Sequence, residues 1–362
     1  MKRWTVCAML CALAGSARAD NLMQIYGIVD GGLAYVTNVA GAHVWSQTSG
    51  VAQSNRWGLR GSEDLGGGNR AIFRLENGFT LNDGRFSQGG LEFGRQAFVG
   101  LQSNRFGTLT LGRQYDFMTT NLAGFSSGML TPSVFAFHLG DLDRLGAERI
   151  DNAVRYVTPE FSGVQLGALY AFGGQPGSLS SHSAFGFGAS YHAGDFKAGA
   201  AYVQIHDFTA AFGIGTTVLG APLVGTSSLG LLPRFQTFDK LTGSGFGASY
   251  QAGPALLHAL FTMVELEQNG ERASLHIMEA GVKYLITAAF SVAGSYARST
   301  LAGMGWNQFV AGADYLLSKR TDVYLNLVNL RASAGVQAQL FTLPASSSSR
   351  QTVLSLGLRH TF

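Results

Sequence analysis

The first candidates for catalysis or ligand binding in this sequence are its histidines, a glycine-rich segment and a serine-rich segment. The eight histidines show neither metal-ligand spacing nor a neighbouring nucleophile motif such as G-x-S-x-G, and each is interpreted as a loop or interfacial residue. The segment GIGTTVLG (213–220) lacks the Lys-Ser/Thr pair of a phosphate-binding loop, and ASSSSR (345–350) is typical of a flexible loop. The sequence therefore predicts no catalytic residue, no metal site and no bound cofactor. The histidines are His43, His138, His182, His192, His206, His258, His276 and His360.

Charged side chains recur instead with a period of two. In NRWGLRG (55–61), both arginines fall on one face of a strand, whereas tryptophan and leucine fall on the other. In RAIFRLE (70–76), two arginines and a glutamate likewise oppose alanine, phenylalanine and leucine. Strands of this kind place one face in water and the other against apolar material. The elements that position the charged groups are therefore predicted to be two-sided strands.

The composition is unlike that of an ordinary soluble protein. Only 13% of the 362 residues are charged, whereas about a quarter are charged in soluble globular domains. Helical membrane proteins show several apolar runs of roughly 20 residues. The best candidate, 208–233, is interrupted by glycines and prolines. We therefore prefer a glycine- and threonine-rich surface loop there, with a spanning helix as the alternative.

The N-terminus has the features of a secretory signal. It combines a basic start, an apolar segment and an Ala-Arg-Ala cleavage site, and we predict removal of residues 1–19. Both cysteines, Cys7 and Cys11, leave with the signal, so the mature chain has neither disulfide nor thiol chemistry. Three of the 25 basic residues leave as well, so that 25 − 3 = 22 basic residues face 22 acidic ones. This balance removes any charge argument for nucleic acid.

Along the mature chain one unit recurs, a strand of about ten residues followed by a turn. Seven short connections alternate with eight longer, polar or glycine-rich ones. Fifteen connections join sixteen strands, which predicts an all-β transmembrane antiparallel barrel in one domain (20–362), with short turns at one rim and long loops at the other. The short turns are predicted at 63–70, 103–108, 158–163, 192–196, 251–255, 285–290 and 317–322. The long loops are predicted at 39–50, 82–90, 116–149, 173–183, 207–242, 266–274, 300–305 and 333–349.

The chain ends on LGLRHTF (356–362), which alternates up to a terminal phenylalanine. A C-terminus is usually frayed and wet, so this pattern calls for a partner. We predict that the strand ending in Phe362 closes the barrel against the first strand, near 22–35, because closure satisfies every backbone donor and acceptor of a sheet in lipid. Two segments, GRQAFVGL (94–101) and VYLNLVNL (323–330), are apolar on both faces. We interpret some of these strands as covered outside by a neighbouring subunit.

Several motifs occur in a fixed order along the chain. They are QIYGIVDGGL (24–33), SNRWGLRGSEDLGGGNRAIFRLENGF (54–79), FGRQAFVGLQSNRFGTLTLGRQYD (93–116), RIDNAVRYVTPEFSGVQLGALYAFG (149–173), GADYLLSKRTDVY (312–324) and the terminal Phe362. Together they resemble the general-diffusion porins of the Gram-negative outer membrane, of the beta-proteobacterial kind, over the whole chain. The resemblance implies a sixteen-stranded barrel, usually a homotrimer, whose third external loop folds into the lumen. It also implies that Phe362 is an assembly signal read by the barrel-assembly machinery.

The resemblance also indicates where such a channel is narrowest. The third loop, between Tyr115 and Arg149, would be the constriction loop, and a waist between loop carboxylates and wall arginines sorts solutes by charge and size. For any single arginine, pairing with a nearby lumen carboxylate is the alternative. Matching the wall arginines are Arg56, Arg95 and Arg149, with Arg60, Arg74 and Arg155 as further residues on the inward face. The candidates for the acidic side are Asp116, Asp141, Asp143 and Glu148.

The expected function is therefore passive diffusion of small hydrophilic solutes and ions through a water-filled channel. We expect a weak preference for anions, since the wall arginines match their motifs better than the loop acids do. The expected surroundings are outer-membrane lipid and lipopolysaccharide. Two alternatives remain: a substrate-selective channel with a track of aromatic or basic residues, and a non-channel surface protein such as an adhesin or a barrel enzyme.

Overall fold

The computed structural model describes residues 22–146, 148–223 and 236–362. They form a closed antiparallel barrel in which sixteen strands pair in chain order, so the predicted fold class is confirmed. The predicted signal, 1–19, lies outside the described residues and stays a prediction. Among the described residues, no helix has the length and apolarity needed to cross a membrane.

The strands are numbered β1 to β16. Strand β2 consists of two segments, Ala42–Ser49 and Arg56–Gly66, which pair with the two halves of β1 and are separated by an interruption at 50–55. The other bounds are β1 Leu22–Val39, β3 Asn69–Gly78, β4 Gln96–Ser103, β5 Gly107–Tyr115, β6 Arg149–Val157, β7 Val164–Ala171, β8 Ala184–Ala193, β9 Phe196–Ala210, β10 Gln236–Ala252, β11 Ala255–Gln268, β12 Glu271–Leu285, β13 Phe290–Leu301, β14 Met304–Leu316, β15 Thr321–Ala332 and β16 Arg350–Thr361.

Helical structure is confined to short turns in the described loops. In the segment considered as a spanning helix, 208–223 contains no helix, and 224–233 lies outside the described residues. The helical turns are Gln88–Gly90, Ala123–Phe125, Val134–Ala136 and Leu139–Asp141 of the 3-10 type, Met118–Leu122 of the π type and Ser127–Leu130 of the α type. A small hairpin, Thr216–Val218 with Ala221–Leu223, lies in the loop after β9.

The last strand closes the barrel against the first, as predicted. Strand β16 pairs with β1 along nine register positions, up to Thr361 opposite Ile28. Beyond them, Gly27 and Phe362 exchange both backbone hydrogen bonds at 3.0 Å. The terminal residue therefore belongs to the ladder, and closure satisfies the backbone groups that lipid would leave without partners.

The Phe362 ring covers Gly27 at this seam, and a Cβ atom at Gly27 would overlap the ring. We expect Gly27→Val to lower the folded fraction severalfold, because overpacking costs about 1–3 kcal/mol. The measurement is the fraction that migrates as a compact, heat-modifiable band after refolding. Gly294→Val on β13 is the matched control, since a Cβ atom there meets only a backbone oxygen at 3.8 Å. Equal folded fractions for the two variants would contradict a role for the ring at the seam.

The seven short turns lie where the sequence places them, but three of the predicted long loops are wrong. At 39–50, 266–274 and 300–305 the strands continue and meet in two-residue turns. Both residues of each turn have positive φ, the geometry of the tightest hairpins. The turn pairs are Ala40 with Gly41, Asn269 with Gly270, and Ala302 with Gly303. The other five long loops are present, although β9 and β10 extend into the range predicted at 207–242.

The lumen near the long loops contains an apolar core. Val203, Leu241 and Val328 lie on inner faces of strands and are fully buried, in one cluster with Leu122 and Phe341 of the inward-folded loops. The loops therefore cover the inner face of β15, which explains why VYLNLVNL is apolar on both sides. Cover of β15 by a neighbouring subunit is therefore not needed to explain its apolar residues.

Candidate pore constriction

The loop between β5 and β6, residues 116–148, folds into the lumen and is called the constriction loop from here on. The N–H group of Ser127 donates to Glu279 Oε1 on β12 at 2.5 Å. The Gln308 amide of β14 donates to the carbonyl oxygen of Ala136 at 2.9 Å. Since β12 and β14 stand far around the barrel from β5 and β6, the loop crosses the lumen and divides it.

A buried ionic cluster fixes the far side of this loop. We call it the loop anchor and define it as His138, Asp143, Thr262 and Glu279. His138 lies between two carboxylates, with Nδ1 2.7 Å from Asp143 Oδ2 and Nε2 2.6 Å from Glu279 Oε2. The Thr262 hydroxyl of β11 donates to Asp143 at 2.8 Å. The anchor therefore ties two points of the loop to two wall strands.

The electrostatics of the anchor favour a charged imidazole. Burial by itself lowers the pKa of His138, but the carboxylates of Asp143 and Glu279 outweigh burial and raise that pKa to about 10. His258 of β11 lies beside the anchor, with Nδ1 2.8 Å from the carbonyl oxygen of Phe125 and 3.5 Å from Glu279. His138 and His258 were interpreted as loop or interfacial residues. The expected location is wrong, since both side chains are buried inside the lumen.

The raised pKa predicts how the loop responds to pH. A histidine whose pKa is higher in the folded than in the unfolded state stabilises fully below about pH 6.5, and that contribution declines with pH until it is lost above about pH 10. We expect current noise from loop movement to rise progressively as the pH increases from about 6.5 to about 10 and to level off above that. In His138→Gln the noise should be higher and show no such rise. Wild-type noise that stays constant between pH 6.5 and pH 10 would contradict the assignment.

The interruption of β2 forms a second inward projection. The buried carboxylate of Asp30 on β1 accepts the N–H groups of 51–53 at 3.0–3.1 Å and the Tyr324 hydroxyl at 2.8 Å. Four donors on one carboxylate satisfy it fully in the absence of water. The N–H group of Val134 then donates to the carbonyl oxygen of Val51 at 2.6 Å. The interruption and the constriction loop therefore support each other.

Three arginines lie opposite the loop on alternate strands, with Arg56 on β2, Arg95 just before β4 and Arg149 at the start of β6, and we call them the basic wall. Arg95 precedes β4, and its Nε lies 2.8 Å from Glu76 Oε1 on β3 while Nη2 donates to the Tyr115 hydroxyl at 2.7 Å. The guanidinium carbon of Arg149 stands 5.1 Å from the centre of the Tyr115 ring. Glu76 and Tyr115 therefore hold Arg95, and Tyr115 also contacts Arg149.

A cavity of about 290 Å³ lies between the constriction loop and the wall. Its wall side includes Arg56, Arg95 and Tyr115, and the interruption of β2 contributes its backbone. Its loop side is uncharged, with Thr119, Thr120 and small or apolar residues. None of the described residues that line the cavity carries a carboxylate. This cavity is therefore basic on one side and neutral on the other.

The other inward arginines lie on either side of this region. Arg60 and Arg74 are register partners on β2 and β3, nearer the short turns, and they line a separate cavity of about 270 Å³. Their guanidinium carbons stand 5.2 and 5.9 Å from the centre of the Tyr26 ring. Arg155 of β6 stacks on Phe117 at 4.5 Å, beneath the start of the loop.

The acidic candidates are mostly engaged in holding the loop. Asp116 pairs with Arg144 inside the loop, and Asp143 belongs to the loop anchor. Asp141 is buried and accepts the N–H group of Gly146 at 2.7 Å. Burial, together with Glu148 and Asp143, raises the pKa of Asp141 well above its ordinary value. Glu148 is partly exposed where the loop rejoins β6.

Sequence reasoning did not single out Asp30, Glu76, Tyr115 or Glu279 as parts of the site. Asp30 is the one charged residue of β1, and an isolated carboxylate of that kind was the available signal. Glu76 and Glu279 share their strands with other charged residues and gave no such signal. Their partners could not be read from spacing, because Glu279 is 141 residues from His138. Among the described residues, no group of three or more His, Asp or Glu side chains is arranged to hold a metal ion.

A closed barrel with an apolar outer face, a loop folded through the lumen and a charged waist defines an outer-membrane diffusion channel. Known proteins agree. The sequence matches the profile of the Gram-negative porins over residues 6–335. It is 29% identical to an outer membrane porin protein of Bordetella pertussis over 98% of both chains, and 28% identical to outer membrane porin protein 32 of Delftia acidovorans over 100% of both.

Solved structures give the same result. The anion-selective porin from Comamonas acidovorans superimposes with a TM-score of 0.79 at 25% identity, covering 95% of this chain and 100% of that one. OmpT of Vibrio cholerae shares the fold, with a TM-score of 0.68 at 15% identity. The chain belongs to the Gram-negative porin family and is located in the outer membrane.

Proposed function

We propose that this porin is a water-filled channel for small hydrophilic solutes that prefers anions weakly, and that the basic wall sets this preference. One observation carries the proposal: the cavity at the waist has arginines on one side and no carboxylate among its described lining residues. Rings of charged side chains select ions of opposite sign. The charge of the wall is only partly compensated, by Glu76.

The state of the loop acids supports the same sign of selectivity. Asp116 and Asp143 are fully buried and paired with Arg144 and His138, so their charge is neutralised within the protein. We propose that the acids position the loop and contribute little field at the waist. Arg56 and Arg149, by contrast, have no carboxylate within 4.0 Å among the described residues, so no local ion pair cancels their charge.

The remaining arginines extend the field. Arg60 and Arg74 would attract anions to the short-turn side of the waist. Exposed charges of this kind act over roughly a Debye length, about 8–10 Å. Arg155 lies beneath the loop and would contribute less. The Comamonas acidovorans porin is described as anion-selective, and its similarity to this chain is a second support for the proposal.

A homotrimer is the assembly that we propose, with Phe362 as the assembly signal. OmpT of Vibrio cholerae, which shares the fold, has been solved in a trimer form. The Phe362 ring lies at the seam and is half-exposed on the outside of the barrel. A folding factor that approaches from outside therefore has access to the ring before the barrel has closed.

Solute uptake by liposomes tests the proposed function. Liposomes that contain the refolded mature protein should swell in small neutral sugars and faster in anions of equal size than in matched cations. Liposomes that contain heat-denatured protein provide the control. A folded barrel that admits no solute, or one that admits cations faster than anions, would contradict the proposal.

A further inference from the structure

The cavity between the constriction loop and the basic wall, called the waist cavity from here on, is largely apolar on its loop side. Five apolar loop residues line it, and we call them the apolar patch: Ala123, Met129, Val134, Phe137 and Leu145. Glycines and two threonines complete this side. None of the five side chains carries a strong hydrogen-bond donor or acceptor. A solute made only of charged and polar groups gains nothing from such a surface, so the patch indicates a solute with an apolar part.

Contacts with the rest of the barrel hold the apolar patch in place. The N–H group of Val134 donates to the carbonyl oxygen of Val51 at 2.6 Å, which fixes this part of the loop beside the interruption of β2. The Phe137 ring lies against Gly128, where a Cβ atom would be 2.7 Å from the ring, and packs edge to face on Phe341 with ring centres 6.2 Å apart. Because the patch is ordered before a solute arrives, binding there loses little conformational entropy.

The charged side of the waist cavity is suited to one carboxylate. Arg56 Nε donates to the carbonyl oxygen of Ser54 at 3.2 Å, whereas the two terminal nitrogens of Arg56 have no hydrogen-bond partner among the described residues. Two guanidinium nitrogens match the two oxygens of a carboxylate. Arg95 adds positive charge, but two of its nitrogens are already engaged by Glu76 and Tyr115. The cavity therefore offers Arg56 to the carboxylate of a solute.

We propose that the waist cavity binds small monocarboxylates with an apolar body, with the carboxylate on Arg56 and the body on the apolar patch. The inference rests on the proposed function and names a solute class for the same waist. The cavity volume of about 290 Å³ is at the lower limit for small-molecule pockets, so the body is a short alkyl chain or a single ring. Zwitterions bind less well, because no carboxylate among the described lining residues pairs with their ammonium group.

Block of the chloride current by a series of carboxylates tests the proposal. The refolded mature porin is placed in a planar bilayer in potassium chloride, and the concentration that halves the current is measured for acetate, butyrate and hexanoate. We expect this concentration to fall by about two- to fourfold for each methylene group that leaves water. The matched solute is 6-aminohexanoate, which has the same chain but ends in an ammonium group. It should block no better than acetate.

Substitutions in the apolar patch give a second test. Met129→Gln/Val134→Thr makes the patch polar with little change in size, and Met129 is half-exposed, so the fold should tolerate the change. In this variant the half-blocking concentration of hexanoate should come within about twofold of that of acetate. Leu179→Gln is the matched control, because Leu179 is an exposed residue of the loop after β7 that does not line the cavity. It should keep the wild-type dependence on chain length.

The outcomes separate this inference from the proposed function. An anion-preferring wild-type channel that acetate and hexanoate block equally, or that hexanoate and 6-aminohexanoate block equally, would overturn the inference and leave the proposed function intact. A double variant that folds and keeps the dependence on chain length would also overturn it. If the double variant does not fold, the comparison of hexanoate with 6-aminohexanoate in the wild type decides. A channel that prefers cations, or a folded barrel without current, would contradict the proposed function and this inference with it.

Discussion

Replacing Glu76 by glutamine is expected to strengthen the anion preference of the channel, and replacing Arg56 and Arg149 by glutamine is expected to abolish it. Among the described residues, Glu76 is the one carboxylate that pairs with the basic wall, at 2.8 Å from Arg95. Glutamine keeps the size of the side chain and an oxygen that accepts from Arg95, so the geometry should persist while one negative charge is lost. At pore distances each charge should change the anion-to-cation permeability ratio by about two- to tenfold.

The measurement is the reversal potential of single channels under a salt gradient. Arg113→Gln is the matched control, because Arg113 pairs with Ala97 on the outward face of β4 and β5 and forms an ion pair with the exposed Asp151. Removing it changes the net charge without changing the lumen. Arg95 is less suitable for a single substitution, since it would leave Glu76 buried and unpaired at a cost of about 3–5 kcal/mol. Shifts of the same sign in Glu76→Gln and Arg56→Gln/Arg149→Gln would contradict the account.

Glu279→Leu is expected to detach the constriction loop and raise the single-channel conductance. The carboxylate of Glu279 accepts from the Ser127 N–H group and from His138, and leucine satisfies neither. The imidazolium then keeps only Asp143 as a counterion. Breaking a buried ionic cluster in this way costs about 3–5 kcal/mol. It releases the part of the loop near Ser127 and His138 from β12, while the apolar residues of the loop still pack in the buried core. The conductance should rise and fluctuate, and larger neutral sugars should become permeant.

The anchor also offers a compensated variant. In His138→Gln/Asp143→Asn/Glu279→Gln the three charges are replaced together by neutral side chains of similar size that still donate and accept hydrogen bonds. Because no isolated charge remains buried, this variant should keep the conductance much closer to that of the wild type. Wild-type conductance in Glu279→Leu would show that the loop is held elsewhere, for example by Gln308 and Asn326.

The barrel could be predicted from the sequence because its main signals are local. The fifteen predicted connections gave the number of strands, and two-residue periodicity up to Phe362 predicted that the last strand closes the barrel; the structure confirms both. The three misplaced loops have a physical cause. Ala40-Gly41 and Ala302-Gly303 form tight turns without the Asn-Gly or Asp-Gly signal, and Asn269-Gly270 carries that signal between polar flanks that look like loop.

The site was less predictable, since it depends on contacts between distant segments. Family motifs assigned Arg56, Arg95 and Arg149 to one wall. In the structure Arg56 and Arg95 line one cavity with Tyr115, on whose ring Arg149 stacks, and their role in the constriction stays a prediction. No motif indicated that Asp116, Asp141 and Asp143 of the constriction loop are buried, since the groups that hold the loop lie on β11 and β12 or elsewhere in the same loop. The apolar inner faces of some strands were an indirect signal of the inward-folded loops. A strand face that contacts only water in the lumen does not require an apolar residue such as Val328.

The most direct test of the central claim is the reversal potential of the wild-type channel in a planar bilayer that separates two concentrations of potassium chloride. A waist with arginines on one side and a neutral loop on the other predicts a stable open channel whose reversal potential is shifted toward the equilibrium potential of chloride, with the shift reduced at high salt by screening. A shift toward the potassium equilibrium potential would contradict the account, because loop carboxylates would then dominate the field at the waist.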